Sequence, residues 1–368
     1  MKKIAIVFAA AALALAGCNR HHTDTTPSFA IRVNLANADG ETLYLQQDGQ
    51  VLDSAVIENW DAVFTTATRD DNEMYALMLK GWRRPFAFFA DNHDVELEGD
   101  AQNPNAIVVK GSESQARLDA FTKGFQDIDA QIDSIAAQIN AAKETGDEKL
   151  VEELKNKRDD AQVLQKMYCF DYVWEHPTDA TAHYVLYRYK WAFEPCELRT
   201  LVDNIHHADS TLTTGSLRMM EEYLAKQERV QAGQPLIDFT QNDTEGNPVT
   251  LSQFAQGKLL LVDFWASWCP DCRKENPNVV AAYNRFHAQG FDVLGVSFDT
   301  DREKWLAAIE KDGLGWTHVS DLQGWSNAAG ALYSVAFIPQ NALIKDGMIV
   351  ARNLEGDELM AEIERQLQ

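Results

Sequence analysis

Cys269 and Cys272, in the stretch Trp268-Cys269-Pro270-Asp271-Cys272, are the residues of this chain whose type and spacing state a chemistry most plainly. They follow an apolar run, Lys258 to Trp265, that reads as a buried strand, and they lead into Cys272-Arg273-Lys274-Glu275-Asn276, which reads as a helix. A C-x-x-C pair between a strand and a helix is the arrangement of a dithiol/disulfide redox centre, because the spacing lets two sulfurs close a small ring. Backbone N–H groups and the dipole at a helix start favour a thiolate over a thiol. Such a cysteine has a pKa of roughly 3.5 to 7.5, against about 8.5 for a free one. Cys269, just before the helix and expected to be partly exposed, is the attacking thiol. Cys272, inside the first turn, is the resolving thiol that breaks the mixed disulfide and leaves an oxidised pair. Pro270 suits a first helical position, where no N–H is missed.

Asp271 qualifies the redox poise. A carboxylate two residues from Cys269 disfavours the thiolate by like-charge repulsion, which predicts a reducing rather than a strongly oxidising centre. Zinc is the competing use of C-x-x-C. It needs a second such pair or a His pair at ligand spacing, and neither stands nearby. Glu275 and Asp299 read as solvated carboxylates, and the pairs His21-His22 and His206-His207 as solvated rather than metal-binding. Cys169 and Cys196 are expected to be unbridged.

The compartment is read from the N-terminus. Met1-Lys2-Lys3 is positive, and Ile4 to Leu15 is apolar but too short for a spanning helix, as in a secretory signal. It ends in Leu15-Ala16-Gly17-Cys18, which resembles a bacterial lipobox. The resemblance implies cleavage before Cys18, lipidation of Cys18 and a mature chain facing the periplasm, where disulfide chemistry is permitted. Asn19 to Ser28 is polar and patternless, a tether. The chain as a whole has ordinary globular composition, with 45% hydrophobic and 24% charged residues. Its net charge of −23 argues against nucleic acid and anionic membrane surfaces as ligands.

The elements divide the chain into 1–17 signal peptide, 18–28 lipidated tether, 29–111 β-sandwich-like domain, 112–232 helical region and 233–368 α/β domain. In the first domain Ile31, Val33 and Leu35 alternate with polar residues, and Asp39-Gly40 and Asp48-Gly49 are turn dipeptides, so an antiparallel sandwich or barrel is expected. Ile128, Ile132, Ile135 and Ile139 form one helical stripe. After the break at Gly146, Leu150, Leu154, Ala161 and Leu164 form a second, giving an antiparallel helical hairpin. Trp174, Tyr184, Tyr187, Tyr189 and Trp191 read as packing residues. Beyond Pro235 a hairpin is followed by strand Leu259–Trp265, helix Cys272–His287, strand Phe291–Phe298 and helix Arg302–Asp312. Helix Trp325–Tyr333, strands Asn341–Lys345 and Met348–Asn353, and helix Asp357–Leu367 complete the expectation.

Val262-Asp263-Phe264-Trp265-Ala266-Ser267-Trp268-Cys269-Pro270-Asp271-Cys272-Arg273-Lys274-Glu275-Asn276-Pro277 resembles thioredoxin-like thiol–disulfide oxidoreductases of the TlpA type, from about Pro235 to the C-terminus. Leu52-Asp53-Ser54-Ala55 and Val109-Lys110-Gly111-Ser112 resemble runs of the N-terminal domain of unknown function numbered 4369, often attached to such lipoproteins. The TlpA resemblance implies a thioredoxin fold with an extra hairpin and a central insertion, and it assigns site roles. Asp263 is the buried acid that moves protons to and from the resolving cysteine. Ile338-Pro339 is the cis-proline loop, whose backbone pairs with substrate backbone. Pro277 kinks the helix. Trp265 and Trp268 wall the site, with Trp268 as the substrate contact. The family more often has Gly-Pro between the cysteines, so Pro-Asp is a departure. No bound cofactor is required, since the dithiol carries the electrons. The partners implied are protein disulfides and an upstream membrane electron donor. Rival readings are a copper metallochaperone using the same thiols, a peroxidase, which needs a single poised cysteine, and a non-enzymatic binding lipoprotein.

Overall fold

The computed structural model describes residues 27–47, 49–69 and 74–368. The expected signal peptide, Cys18, nearly all of the tether, the His21-His22 pair and Asp48 lie outside these residues. The chain forms two compact units that divide between Ala120 and Phe121.

Among the described residues the first unit contains eight strands: β1 (Ser28–Ala36), β2 (Thr42–Gln47), β3 (Gln50–Val56), β4 (Asp61–Ala67), β5 (Tyr75–Leu79), β6 (Phe86–Phe88), β7 (Val95–Asp100) and β8 (Val108–Lys110). Alternation along β1 buries Phe29, Ile31, Val33 and Leu35 and turns the residues between them outward. The strands form two four-stranded sheets, ordered β4-β1-β7-β8 and β3-β2-β5-β6. Ile31, Phe64 and Leu97 of one sheet share a core with Leu43, Leu77 and Phe88 of the other, as in a sandwich. One pair departs from the antiparallel expectation. β1 and β7 run parallel, with Ile31 opposite Val95. Their connection passes through the whole second sheet, so no tight turn dictates their relative direction.

The helical region contains α1 (Glu113–Thr145), α2 (Glu148–Glu175), α3 (Ala180–Arg188), α4 (Pro195–Ala208) and α5 (Gly215–Glu228). α1 and α2 make the expected hairpin. Gly146 takes a φ of 72°, and the Asp147 side chain caps α2 by accepting from the Leu150 N–H at 3.0 Å. Ile139 and Ala142 pack on Leu154 across it. Gly124 is required by the closeness of the two helices: a Cβ there would lie 2.3 Å from the Tyr168 hydroxyl. Leu164, expected on the buried stripe, is 59% exposed, because the buried face of α2 moves on to Cys169 and Val173. Those residues enter a core with Val185, Leu201, Ile205 and Met220 from α3, α4 and α5.

The α/β region follows: β9 (Thr240–Asp243), β10 (Pro248–Thr250), α6 (Leu251–Phe254), β11 (Leu259–Trp265), α7 (Pro270–Phe286), β12 (Phe291–Ser297), α8 (Arg302–Asp312), β13 (Thr317–Ser320), α9 (Ala328–Leu332), β14 (Gln340–Lys345), β15 (Met348–Arg352) and α10 (Gly356–Leu367). The sheet order is β10-β9-β13-β12-β11-β14-β15. β11 is buried along its whole length, which is why its sequence shows an apolar run and no alternation. It runs parallel to β12 and antiparallel to β14, the mixed sheet of a thioredoxin fold. Three elements differ from expectation. α6 is an additional short helix after the hairpin. β13 is an additional strand, and Trp325 sits in a 3-10 turn, Gly324–Ser326, ahead of the short α9.

Candidate active site

β11 ends at Trp265 and the chain turns through Ala266, Ser267 and Trp268 into α7. Cys269 is the N-cap of α7, and its sulfur accepts from the Cys272 N–H at 3.1 Å. A donor aimed at that sulfur is the local device that favours a thiolate. Cys269 and Cys272 form a disulfide with their Cα atoms 5.3 Å apart. Cys269 is 4% exposed and Cys272 1%, so the expectation of a partly exposed Cys269 is corrected. The loop before β14 covers it: the Ile338 carbonyl oxygen lies 3.6 Å from the Cys269 sulfur.

That loop is positioned by sheet register. β14 pairs with β11 so that Gln340 faces Phe264 and Asn341 faces Asp263. Ile338 and Pro339 therefore stand at the end of β11 where the dithiol begins, and the peptide bond between them is cis. The structure thus sets the Ile338-Pro339 loop against Cys269 and Cys272, and it buries Asp263 in β11, two residues before the strand ends.

Asp263 is buried inside β11. Desolvation, with the Glu275 carboxylate adding a smaller like-charge effect, pushes its pKa up to about 7. Glu275 is held on α7 by the Gly356 N–H at 2.8 Å and by the Asn278 amide at 2.8 Å. Asp263 is therefore an acid able to exchange a proton near neutral pH.

Sequence reasoning missed the polar frame behind the dithiol. Arg273 makes a two-pronged ion pair with Asp312, one prong at 2.6 Å, and its remaining nitrogen donates to the Ser267 carbonyl at 3.0 Å. Asn276 donates to the same Asp312 at 2.7 Å. Asp299, read in the sequence as solvated, is 1% exposed and accepts from the Ser267 N–H at 2.9 Å, the Ser267 hydroxyl and the Ser297 hydroxyl. Arg273 and Asp312 lie 39 positions apart and Ser267 and Asp299 lie 32 apart, so no local pattern announces these pairings.

Trp265 is buried, and Trp268 is half exposed. Trp268 donates from its indole to the Phe298 carbonyl at 3.3 Å. Its ring centroid lies 6.1 Å from that of Trp325, also half exposed, and Trp325 lies edge-on to Phe298 at 5.3 Å. Trp325 is a second aromatic at the rim that the sequence did not single out. Away from this site, Cys169 is buried, Cys196 is exposed, and neither is bridged. His206 bonds to Glu221 at 2.6 Å. Among the described residues, no group of three or more His, Cys, Asp or Glu side chains is arranged to hold a metal ion.

Residues 232–352 match the AhpC/TSA family, and residues 29–118 match DUF4369, a domain of unknown function. The C-terminal part of this chain is a thioredoxin-like thiol–disulfide oxidoreductase domain. It is similar to the thiol-disulfide oxidoreductase ResA of Bacillus cereus, with 25% identity over 150 residues, 40% of this chain and 84% of that protein. The thiol:disulfide interchange protein HelX of Rhodobacter capsulatus is 29% identical over 106 residues, 28% of this chain and 57% of HelX. A solved C-terminal domain of a putative thiol-disulfide oxidoreductase from Bacteroides thetaiotaomicron aligns with 33% identity and a TM-score of 0.36. The alignment covers 38% of this chain and 97% of that one.

Proposed function

We propose that this chain is a TlpA-type lipoprotein that reduces protein disulfides outside the cytoplasm, anchored through lipid on Cys18 and recharged by a membrane electron donor. The observation that carries the reading is the Cys269 sulfur, N-cap of α7, standing 3.6 Å from the Ile338 carbonyl of the cis-proline loop. A substrate strand paired to that loop brings its own disulfide to Cys269, the attacking sulfur.

The reaction balances without a cofactor. In the reduced enzyme the Cys269 thiolate attacks one substrate sulfur. A Cys269–substrate bond forms, the substrate S–S bond breaks, and the leaving sulfur takes a proton. The Asp263 carboxylate accepts the Cys272 proton, and the Cys272 thiolate attacks Cys269. The second substrate sulfur leaves and is protonated. The substrate has gained two electrons and two protons, and the enzyme holds the Cys269–Cys272 disulfide. A dithiol of the membrane donor returns both by the same exchange. The exposed Asp271 carboxylate beside the sulfurs supports the reducing direction. The division into a sandwich domain over 29–111, a helical region over 112–232 and a redox domain over 233–368 belongs to the same reading.

The test is Cys272→Ala in the full chain. It leaves Cys269 unable to be released, so substrates accumulate as mixed disulfides that mass spectrometry identifies. Equilibration of the wild type with glutathione reads the potential. A trap that catches nothing, or a potential near that of the strongest oxidants, ends the reductase reading.

A further inference from the structure

A cavity of about 250 Å³ lies where the helical region meets the loop that carries Ile338 and Pro339. Its wall includes Phe337, half exposed, on the loop and Lys190, which opens a 3-10 turn just past α3. Arg352 and Asn353 at the end of β15 line it as well. Lys190 is 8% exposed and sits among three rings, its ammonium 3.9 Å from the Tyr187 centroid, 4.4 Å from Trp191 and 5.4 Å from Tyr223. It donates to the Tyr187 carbonyl at 3.1 Å. Arg352 donates to the Tyr333 carbonyl at 3.1 Å, and its Nε is buried without a partner. Among the described residues no carboxylate pairs with either cation. Buried charges are as a rule paired. Two cations without a carboxylate partner, Lys190 buried and Arg352 partly buried, share one small cavity in a chain of net charge −23. Burial lowers the proton affinity of both; the neighbouring Arg188 charge adds to this at Lys190, and the Tyr333 phenol offsets it in part at Arg352.

One carboxylate lines the cavity, the exposed Glu194. Two cations and one anion leave room for a single negative charge, which favours a carboxylate over a phosphate dianion. The volume is below that of a typical drug-sized ligand pocket, roughly 300 to 1,000 Å³, and suits one side chain. The cavity is tied to the redox site. Gln340 accepts from the Ala336 N–H at 3.1 Å and donates to Asn353 at 3.2 Å, joining the loop to the strand end that carries Arg352. Ala336 and Phe337, which line the cavity, directly precede Ile338 in the chain, so the opening adjoins the backbone of that loop.

We propose that this cavity is a specificity pocket in which Lys190 and Arg352 receive the carboxylate of a Glu or Asp side chain on the substrate polypeptide, near its disulfide. The inference rests on the proposed role as a reductase of protein disulfides, and it adds the substrate class: acidic segments beside the reacting cysteine. The chain's own net charge biases against such substrates, so a preference for them identifies a local site.

The test uses paired disulfide peptides that differ only in Glu against Gln, scanned along the positions on either side of the attacked cysteine. With reduced full-length protein, kcat/KM for the Glu peptide is expected to exceed that for its Gln partner about tenfold at one position, the scale of one charge-assisted contact. The ratio falls to about one in Lys190→Gln and in Arg352→Gln. Added glutarate lowers the wild-type ratio, a measurement that needs no folded variant. A wild-type ratio near one at every position overturns the proposal, as does a ratio that survives in both variants. Saturable stabilisation of the wild type by glutarate with a peptide ratio of one also overturns it, and identifies a site for free small carboxylates instead. Failure of the parent reading has a different signature: the dithiol cycles with small thiols while neither peptide is turned over.

Discussion

The guanidinium of Arg273 holds the carbonyl of Ser267 at 3.0 Å while Asp312 grips its other edge. The turn that delivers Trp268 and Cys269 is thereby tied to α7 and to the end of α8. Lysine has one compact charge and no planar fork, so it cannot serve both partners. Arg273→Lys is expected to slow disulfide reduction about tenfold, shift the pH profile of Cys269 alkylation and lower stability by about 2 kcal/mol. Stopped-flow reduction, alkylation against pH and urea unfolding read the three effects. Unchanged alkylation with lost stability makes the pair a structural brace and nothing more.

The acid in β11 has a pH signature whose sign follows from its burial. Asp263 is pushed from 3.8 to about 7 in the fold. A raised carboxyl pKa means the native state holds its proton where the unfolded chain has released it. The native state carries no penalty below the unfolded value. Stability then falls between about pH 4 and pH 7. At about 1.36 kcal/mol per unit the full loss is on the order of 4 kcal/mol above pH 7. Asp263→Asn is expected to flatten this slope. The variant should be more stable than the wild type at pH 8 and equal to it near pH 4, while resolution of the mixed disulfide slows. Denaturant unfolding across that range, with single-turnover reduction, tests both. A variant with wild-type resolution removes Asp263 from proton transfer.

The remaining cysteines separate by environment. Burial pushes Cys169 up to about 12, whereas Cys196 is exposed on α4. Iodoacetamide on the native oxidised protein is expected to modify Cys196 and spare Cys169, Cys269 and Cys272. Prior reduction adds Cys269 to the modified set. Peptide mapping reads the pattern. Modification of Cys169 at a rate like that of Cys196 contradicts the packing of α2 against α3, α4 and α5.

What the sequence disclosed about this site was local. Cys269 and Cys272 are three apart, and the strand before them and helix after them each have their own pattern, so strand, turn and N-cap were legible together. Ile338 and Pro339 lie 69 and 70 positions from Cys269, and only family resemblance pointed to them. Asp299 was misread for a related reason. A carboxylate just past the end of a strand reads as solvated until Ser267 and Ser297 are known to fold over it. β13 was missed because Thr317-His318-Val319-Ser320 has neither apolar continuity nor alternation, and the neighbouring strands β9 and β12 define it. In the first unit the strands were legible from alternation. The parallel pairing of β1 with β7 was not, because alternation sets which face is buried and leaves direction open.

Trp325 extends the site beyond what the motif discloses. With Trp268 it forms a half-exposed aromatic rim, braced on Phe298 and placed by a 3-10 turn. Exposed indoles at 6.1 Å offer apolar area that a substrate side chain beside the disulfide can cover. Removing one ring from such a contact costs on the order of 1 to 2 kcal/mol of binding, roughly tenfold. Trp325→Ala is expected to raise KM for apolar-flanked disulfide peptides about tenfold while kcat stays within about twofold. Trp325→Phe should recover most of the loss. Oxidised glutathione, which has no apolar flank to place there, should be reduced by the variant at the wild-type rate. Equal KM values for wild type and Trp325→Ala on the peptides would leave Trp268 as the sole aromatic contact. A parallel loss on oxidised glutathione would show instead that Trp325 acts by supporting Phe298 and the turn, and not by touching substrate.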